Sequence, residues 1–231
     1  MKPWELLGET RTPEGSDVRL TRQENEYVIL VDGKTLMSSR RHGSEDALAA
    51  LACPHLRSPE EPHVLVGGLG MGFTLRATLD LLPPDATVTV VELLPAVVEW
   101  NRGPLGALAG YPIRDQRVRI EIDDVGMALR SGPARFGGIY LDVDNGPTAF
   151  TASANRGLYD NAGVSAAYAA LETGGVLAVW STRDDRKFEQ RLRFHGFDVQ
   201  VNRVRARLKK GGPRHVIFLG VKREGALGTG R

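Results

Sequence analysis

The chain has 231 residues, 42% hydrophobic and 25% charged, the makeup of a soluble globular protein with room for one sizeable core. Thirty basic against 28 acidic residues leave a formal net charge of +2, so no global field recruits nucleic acid or a membrane surface. The single cysteine, Cys53, excludes an internal disulfide and a multi-cysteine metal cage, and is expected to be a small apolar residue near the end of a helix. The opening "MKPWELLGETRTPEG" has no apolar segment of signal-peptide length, and no run reaches the length of a bilayer span. The expected location is therefore the cytoplasm.

In chain order, "DVRLTRQENEYVILVDGKTLMSSR" reads as short strands broken at Asn25 and at Asp32-Gly33, a small antiparallel unit within residues 1–41. "SEDALAALACPHL" reads as a helix with Ser44 as its cap and two acids in its first turn. From Val64 the grammar changes, because apolar strand-like runs alternate with helical periods, as in a parallel sheet covered on both faces. The strands are "HVLVG", "ATVTVVE", "RVRIEI", "GGIYLDV" and "GVLAVWS". The helices are "GFTLRATLDLL", "PAVVEWNR", "DVGMALRS", "NAGVSAAYAALE" and "DDRKFEQRLRFHG". "FDVQVNRVRARL" and "RHVIFLGVK", separated by "KKGGP", form an antiparallel hairpin closing one side of the sheet. Residues 42–224 thus read as one Rossmann-like domain that binds a nucleoside, and 225–231 as a polar tail.

Gly68, Gly70 and Gly72 place a G-x-G-x-G between a buried strand and a helix, where a missing Cβ lets a ligand lie against the main chain. Alone the pattern is weak. The next strand ends in Glu92, about 20 residues on, where nucleotide-binding sheets place an acceptor for ribose hydroxyls. The third strand runs into Asp123-Asp124. One of these acids caps the following helix, and the other is left to accept the exocyclic amine of an adenine. A dinucleotide fingerprint would need its third glycine one position later, at Phe73, and a P-loop would need Gly-Lys-Ser/Thr. The pattern suits an adenosine carrying a thioether or sulfonium, which needs no phosphate cradle. His42, His55, His63, His195 and His215 show no metal-ligand spacing, no Ser sits in G-x-S-x-G, and the basic stretch around Arg203, Arg205, Arg207 and Lys209 reads as a solvated hairpin rather than a nucleic-acid surface.

On these residues the sequence resembles the spermidine synthase-like group of the class I S-adenosylmethionine-dependent methyltransferase fold, from about Glu26 to about Val221. "GLGMGFTLR" is similar to the group's glycine loop, with Arg76 retained, and Glu92 and Asp123-Asp124 match its acids after the second and third strands, which makes Asp124 the adenine partner. "LDVDNGP" is similar to its acidic loop after the fourth strand, with Asp142 as the first acid and Asp144 two positions on. "ALETGGVLAVWS" is similar to its L-K-P-G-G-V-L segment. The resemblance implies a Rossmann-like α/β fold, S-adenosylmethionine or its decarboxylated form as nucleoside, an aminopropyl group transferred to a small-molecule amine, no metal, and a homodimer.

The departures bear on the acceptor. Met71 stands where the group has an aspartate that holds the transferred amine. Ser44, Glu45 and Asp46 stand where it has Tyr-His-Glu, so Glu45 and Asp46 are the candidate amine-binding acids. An aliphatic amine arrives protonated, with a pKa near ~10, and must lose a proton before attacking carbon beside a sulfonium. Asp142 is the candidate proton acceptor and Asp144 an orienting charge. Methyl transfer from S-adenosylmethionine, favoured by Met71, and a non-catalytic nucleoside-binding module are the alternatives.

Overall fold

The computed structural model describes residues 2–56, 61–143, 157–206 and 213–223. Four antiparallel strands come first, β1 (Glu5–Arg11), β2 (Asp17–Gln23), β3 (Glu26–Val31) and β4 (Lys34–Ser38), paired in sequence order. Alternation puts Val18, Leu20 and Ile29 on the buried face, with Leu20 paired to Ile29, as the period of a strand requires. The turns fall where expected, at Glu24 and Asp32-Gly33, all with positive φ. β1 adds a strand that the sequence pattern does not announce. It is held by Gly8, whose absent Cβ admits the ring of the buried Trp100.

The larger sheet has seven strands. Helix α1 (Gly43–Ala52) precedes β5 (His63–Gly67), α2 (Phe73–Leu81), β6 (Thr87–Glu92), α3 (Pro95–Arg102), β7 (Val118–Ile122), α4 (Val125–Arg130) and β8 (Phe136–Leu141). Then come α5 (Asn161–Ala170), β9 (Leu171–Ser181), α6 (Arg186–Phe194), β10 (Phe197–Arg205) and β11 (Arg214–Lys222). The spatial order is β10-β11-β9-β8-β5-β6-β7. β9, β8, β5, β6 and β7 run parallel, and β11 and β10 continue the sheet antiparallel. The architecture is thus the mostly parallel, Rossmann-like α/β sheet with a C-terminal antiparallel pair and a separate N-terminal β sheet.

Burial follows the pleat. On one face Val64, Val66, Val88, Val90, Tyr140 and Ala178 join α1, α2, α3 and the small sheet in one core; on the other Leu65, Val91, Ile139, Leu141, Leu177 and Val179 join α4, α5 and α6. Helix starts are chemically marked: the Asp160 side chain accepts from Gly163 N–H, Asp185 from Lys187 and Phe188 N–H, and Pro95 opens α3. The expected cap of α1 is corrected. The helix starts at Gly43 with His42 at its N-cap and no side-chain cap, and the Ser44 hydroxyl donates instead to Glu45. A residue already inside the first turn, as Ser44 is, cannot serve as the flanking cap. Cys53 lies in a 3-10 turn, half-buried and free, and accepts from Tyr140 O–H at 3.4 Å. The 225–231 tail and the "KKGGP" turn lie outside the described residues, and no helix among those described is long and apolar enough to cross a membrane.

Candidate active site

Strand order reverses between β5 and β8, and in an open parallel sheet that is where a crevice opens beyond the carboxyl ends. Gly68 and Asp142 meet there. Asp142 N–H donates to Gly67 O and Gly68 N–H to Val91 O, both at 2.9 Å. Gly68 has φ +87°, and a Cβ there would lie 2.5 Å from the Asp142 carbonyl oxygen. Glycine is required here twice over, by backbone sign and by space. Gly70, at φ +52°, faces Met37 of β4, whose sulfur would be 2.8 Å from an added Cβ. The glycine loop therefore has the small sheet as its roof.

A cavity of about 140 Å³ lies under that roof. Gly68, Gly70, Glu92, Asp124 and Asp142 line it together, with Val91, Leu94, Val97 and Val125 as apolar walls and Ile29, Leu36 and Met37 above. Glu92 is buried. Its Oε2 accepts from Leu69 N–H and its Oε1 from Leu94 N–H, each at 2.9 Å. The carboxylate thus braces the glycine loop against the start of α3 at the edge of the cavity. Asp124 caps α4 through Met127 N–H at 3.2 Å and also lines the cavity, so capping and lining fall on one residue. Asp123 is exposed, outside the lining, and accepts from Asp124 N–H at 2.7 Å. Gly72 is also outside the lining. It sits at φ +83° before α2, against Asn101 and Pro112.

A second cavity, of about 190 Å³, adjoins the first and is lined by Glu45, Asp142, Arg41, Trp180 and His215, among others. Asp142, Leu36 and Met37 line both. Thr74, buried at the start of α2, donates to Asp142 Oδ2 at 2.5 Å. Burial pushes the Asp142 carboxyl up to about 6 against the lowering effect of that bond. Glu45 is pushed up to about 8, first by burial and then by the charge of Asp142. Two acids facing one desolvated space cannot both ionise cheaply, so the pair retains a proton that an arriving cation can displace. Asp46 does not line this cavity. It turns to His42, whose Nδ1 is 2.9 Å from Asp46 Oδ2, and burial raises its pKa against the opposing pull of His42. Asp144 lies outside the described residues.

Several participants carry no local signal. Asn101 Nδ2 donates to Gly70 O and to Val97 O, both at 2.9 Å, across 31 residues in the first case. Thr74, Met37 and His215 come to the site from α2, β4 and β11, and Arg41 from the segment before α1. Met71 is fully buried in the core, so its side chain offers nothing to a ligand. Arg76 pairs with Asp80 at 2.5 Å along α2. Arg203 pairs with Asp184, while Arg207 and Lys209 lie outside the described residues.

No protein-family model matches the sequence, and no curated protein matches it. Solved structures do. Spermidine synthase from Thermotoga maritima has a TM-score of 0.74 at 19% identity, covering 94% of this chain and 72% of its own. A spermidine synthase in complex with the transition-state analogue AdoDATO gives 0.74 at 21% identity, over 94% and 73% of the two chains. A probable spermidine synthase from Corynebacterium glutamicum gives 0.64 at 18%, over 96% and 81%. The chain shares the fold of these spermidine synthases.

Proposed function

We propose that this protein is an aminopropyltransferase-like enzyme that binds decarboxylated S-adenosylmethionine or a related nucleoside in the first cavity and a small amine in the second. The observation that carries the reading is Asp142, which among the described residues is the titratable side chain common to both cavities. The fit to a nucleoside rests on main chain laid bare at Gly68 and Gly70, fixed acceptors at Glu92 and Asp124, and apolar walls that suit the faces of a purine. A sulfonium nucleoside supplies an activated carbon and a neutral thioether leaving group.

The chain's own residues then do three things. Glu92 and the loop it braces orient the nucleoside, which is the proximity contribution. Glu45 and Asp142 attract a protonated amine into a space where burial and their mutual charge leave them holding a proton. Asp142, polarised by Thr74, takes the proton that the amine must lose before its lone pair can attack. Asp144 is assigned the orientation of the amine. No covalent intermediate on the protein is required. The fold shared with spermidine synthases, one of them complexed with a transition-state analogue, supports the aminopropyl reading and a small amine as acceptor. A cytoplasmic homodimer belongs to the same proposal, and sedimentation of the purified chain tests its assembly.

The test is to combine purified protein with decarboxylated S-adenosylmethionine and a panel of diamines, and follow methylthioadenosine release. Asp142→Asn should keep nucleoside binding by calorimetry and lose about 10²- to 10⁴-fold of turnover; unchanged turnover removes Asp142 from the chemistry. Met71 favours a second reading, methyl transfer from intact S-adenosylmethionine, because that position offers no carboxylate to an aminopropyl amine. Tighter binding of the carboxylated nucleoside than of the decarboxylated one would select it. Binding with no transfer of either group would indicate a non-catalytic nucleoside module.

A further inference from the structure

The second cavity has a hydrogen-bonded chain leading out of it. Ser44 Oγ donates to Glu45 Oε2 at 2.6 Å, a length typical of a hydroxyl on a carboxylate. The same oxygen is 2.9 Å from His215 Nδ1. Ser44 and Glu45 are buried, whereas His215 is partly exposed, so the chain runs from a closed interior to a group in touch with solvent. The ring of His215 is fixed edge-to-face against Trp180, with centroids 4.6 Å apart. Three polar groups from two elements 171 residues apart in sequence thus form one continuous path.

We infer that Glu45, Ser44 and His215 form a proton conduit that carries to solvent the proton Glu45 sheds when an ammonium enters the acceptor cavity, with His215 as the exit group. The inference rests on the transferase reading, which supplies the cation. The chain has two complementary arrangements. With Glu45 ionised, Ser44 O–H donates to Glu45 and His215 Nδ1–H donates to Ser44. With Glu45 protonated, its O–H donates to Ser44, Ser44 O–H donates to His215 Nδ1, and the imidazole carries its hydrogen on Nε2. Passage between them breaks the Glu45 O–H bond, forms and breaks an O–H bond at Ser44, and forms N–H at His215 Nδ1. One proton moves, no electron does, and the imidazolium gives up its Nε2 proton to water.

The groups around the exit agree with this direction. Burial, and then Arg41 before α1, hold the His215 imidazolium below its ordinary pKa, so a proton that arrives leaves readily. Asp142, after β8, shares the cavity with Glu45, and its charge and that of Asp46, next along α1 and turned to His42, raise the hold of Glu45 on the proton. Trp180 on β9 is uncharged. Arg214 neighbours His215 on β11 and pairs with Arg205 on β10, so the pleat puts both on the opposite face. An ammonium entering beside Glu45 and Asp142 makes ionised Glu45 favourable and drives the proton outward.

The experiment compares the parent with His215→Asn, which keeps a donor where Nδ1 lies but cannot carry a proton, and His215→Ala. At pH 7 both should lose roughly 10-fold or more of kcat with nucleoside KM unchanged, added imidazole should restore the Ala variant, and the loss should shrink toward alkaline pH. Parent-like kcat and pH profile in His215→Asn would overturn the conduit. A second readout needs no turnover: the ring-carbon chemical shifts of His215 should report a change of tautomer with pH in the parent and one fixed tautomer in Glu45→Gln. The same tautomer in both proteins at every pH also overturns it. Absence of transfer by the parent, with the tautomer change present, would instead count against the transferase reading alone.

Discussion

Thr74 acts at the site through one hydrogen bond and Glu92 through two, and each side chain can be replaced with little change of shape. Thr74→Val keeps the volume and deletes the 2.5 Å bond to Asp142. That bond favours the ionised carboxyl, so without it Asp142 should hold its proton more tightly. The acid limb of kcat/KM should move upward by about one pH unit, as expected of a lost bond to a charged group worth ~1.5 kcal/mol. A limb that stays put would mean that Asp142 is not the group titrating. Glu92→Gln tests the brace. A Gln side chain can accept from one of Leu69 and Leu94 N–H but presents an NH₂ to the other, costing about 2 kcal/mol of stability. Chemical denaturation should show that loss, and calorimetry should show nucleoside affinity falling at least about tenfold.

The elements that were legible in the sequence are those whose signal is local. β5, β6, α2, α3 and β11 fall within a residue or so of the apolar runs and glycines that announce them, because a strand buried on both faces needs an unbroken Val/Ile/Leu run. β1 was not, since "ELLGETR" is largely exposed and is placed by Trp100 and by pairing with β2 rather than by its own periodicity. For the candidate site, strand-end position brings out Gly68, Gly70, Glu92 and the Asp123-Asp124 pair, and the resemblance singles out Asp124 and Asp142. Thr74, Asn101 and His215 act on partners 68, 31 and 171 residues away, a pairing that only the folded topology creates. β1 also supplies a test at this scale. A Cβ at Gly8 would overlap Trp100 Nε1 in a buried contact, so Gly8→Val should cost about 1–3 kcal/mol. Trp emission should shift to the red as α3 and β1 part, and unchanged Tm and emission would show that β1 is not docked on Trp100.

The cavities exist because two sheets face each other: the roof comes from β2, β3 and β4, and the floor from the strand ends of the larger sheet. Closing that roof desolvates Glu45 and Asp142, so part of the folding free energy is opposed by the pair that the proposed transfer uses, a trade between stability and function seen where sites are built. The sign is fixed by linkage. Glu45 has a higher pKa folded than unfolded, so the folded state binds more protons between the ordinary carboxylate range and about pH 8. Stability present at low pH is therefore lost as pH rises through that window. The ligand-free parent should show a Tm that declines from pH 5 to pH 8.5, and Glu45→Gln, which has no charge to bury and relieves Asp142 as well, should decline less, by about 3 °C or more at the alkaline end. A diamine should narrow the difference between the two proteins, because a bound cation stabilises the ionised pair only where Glu45 is present. Parallel Tm curves for parent and variant would place the Glu45 carboxyl in contact with water, and the second cavity would then lack the desolvated charge that draws an amine into it.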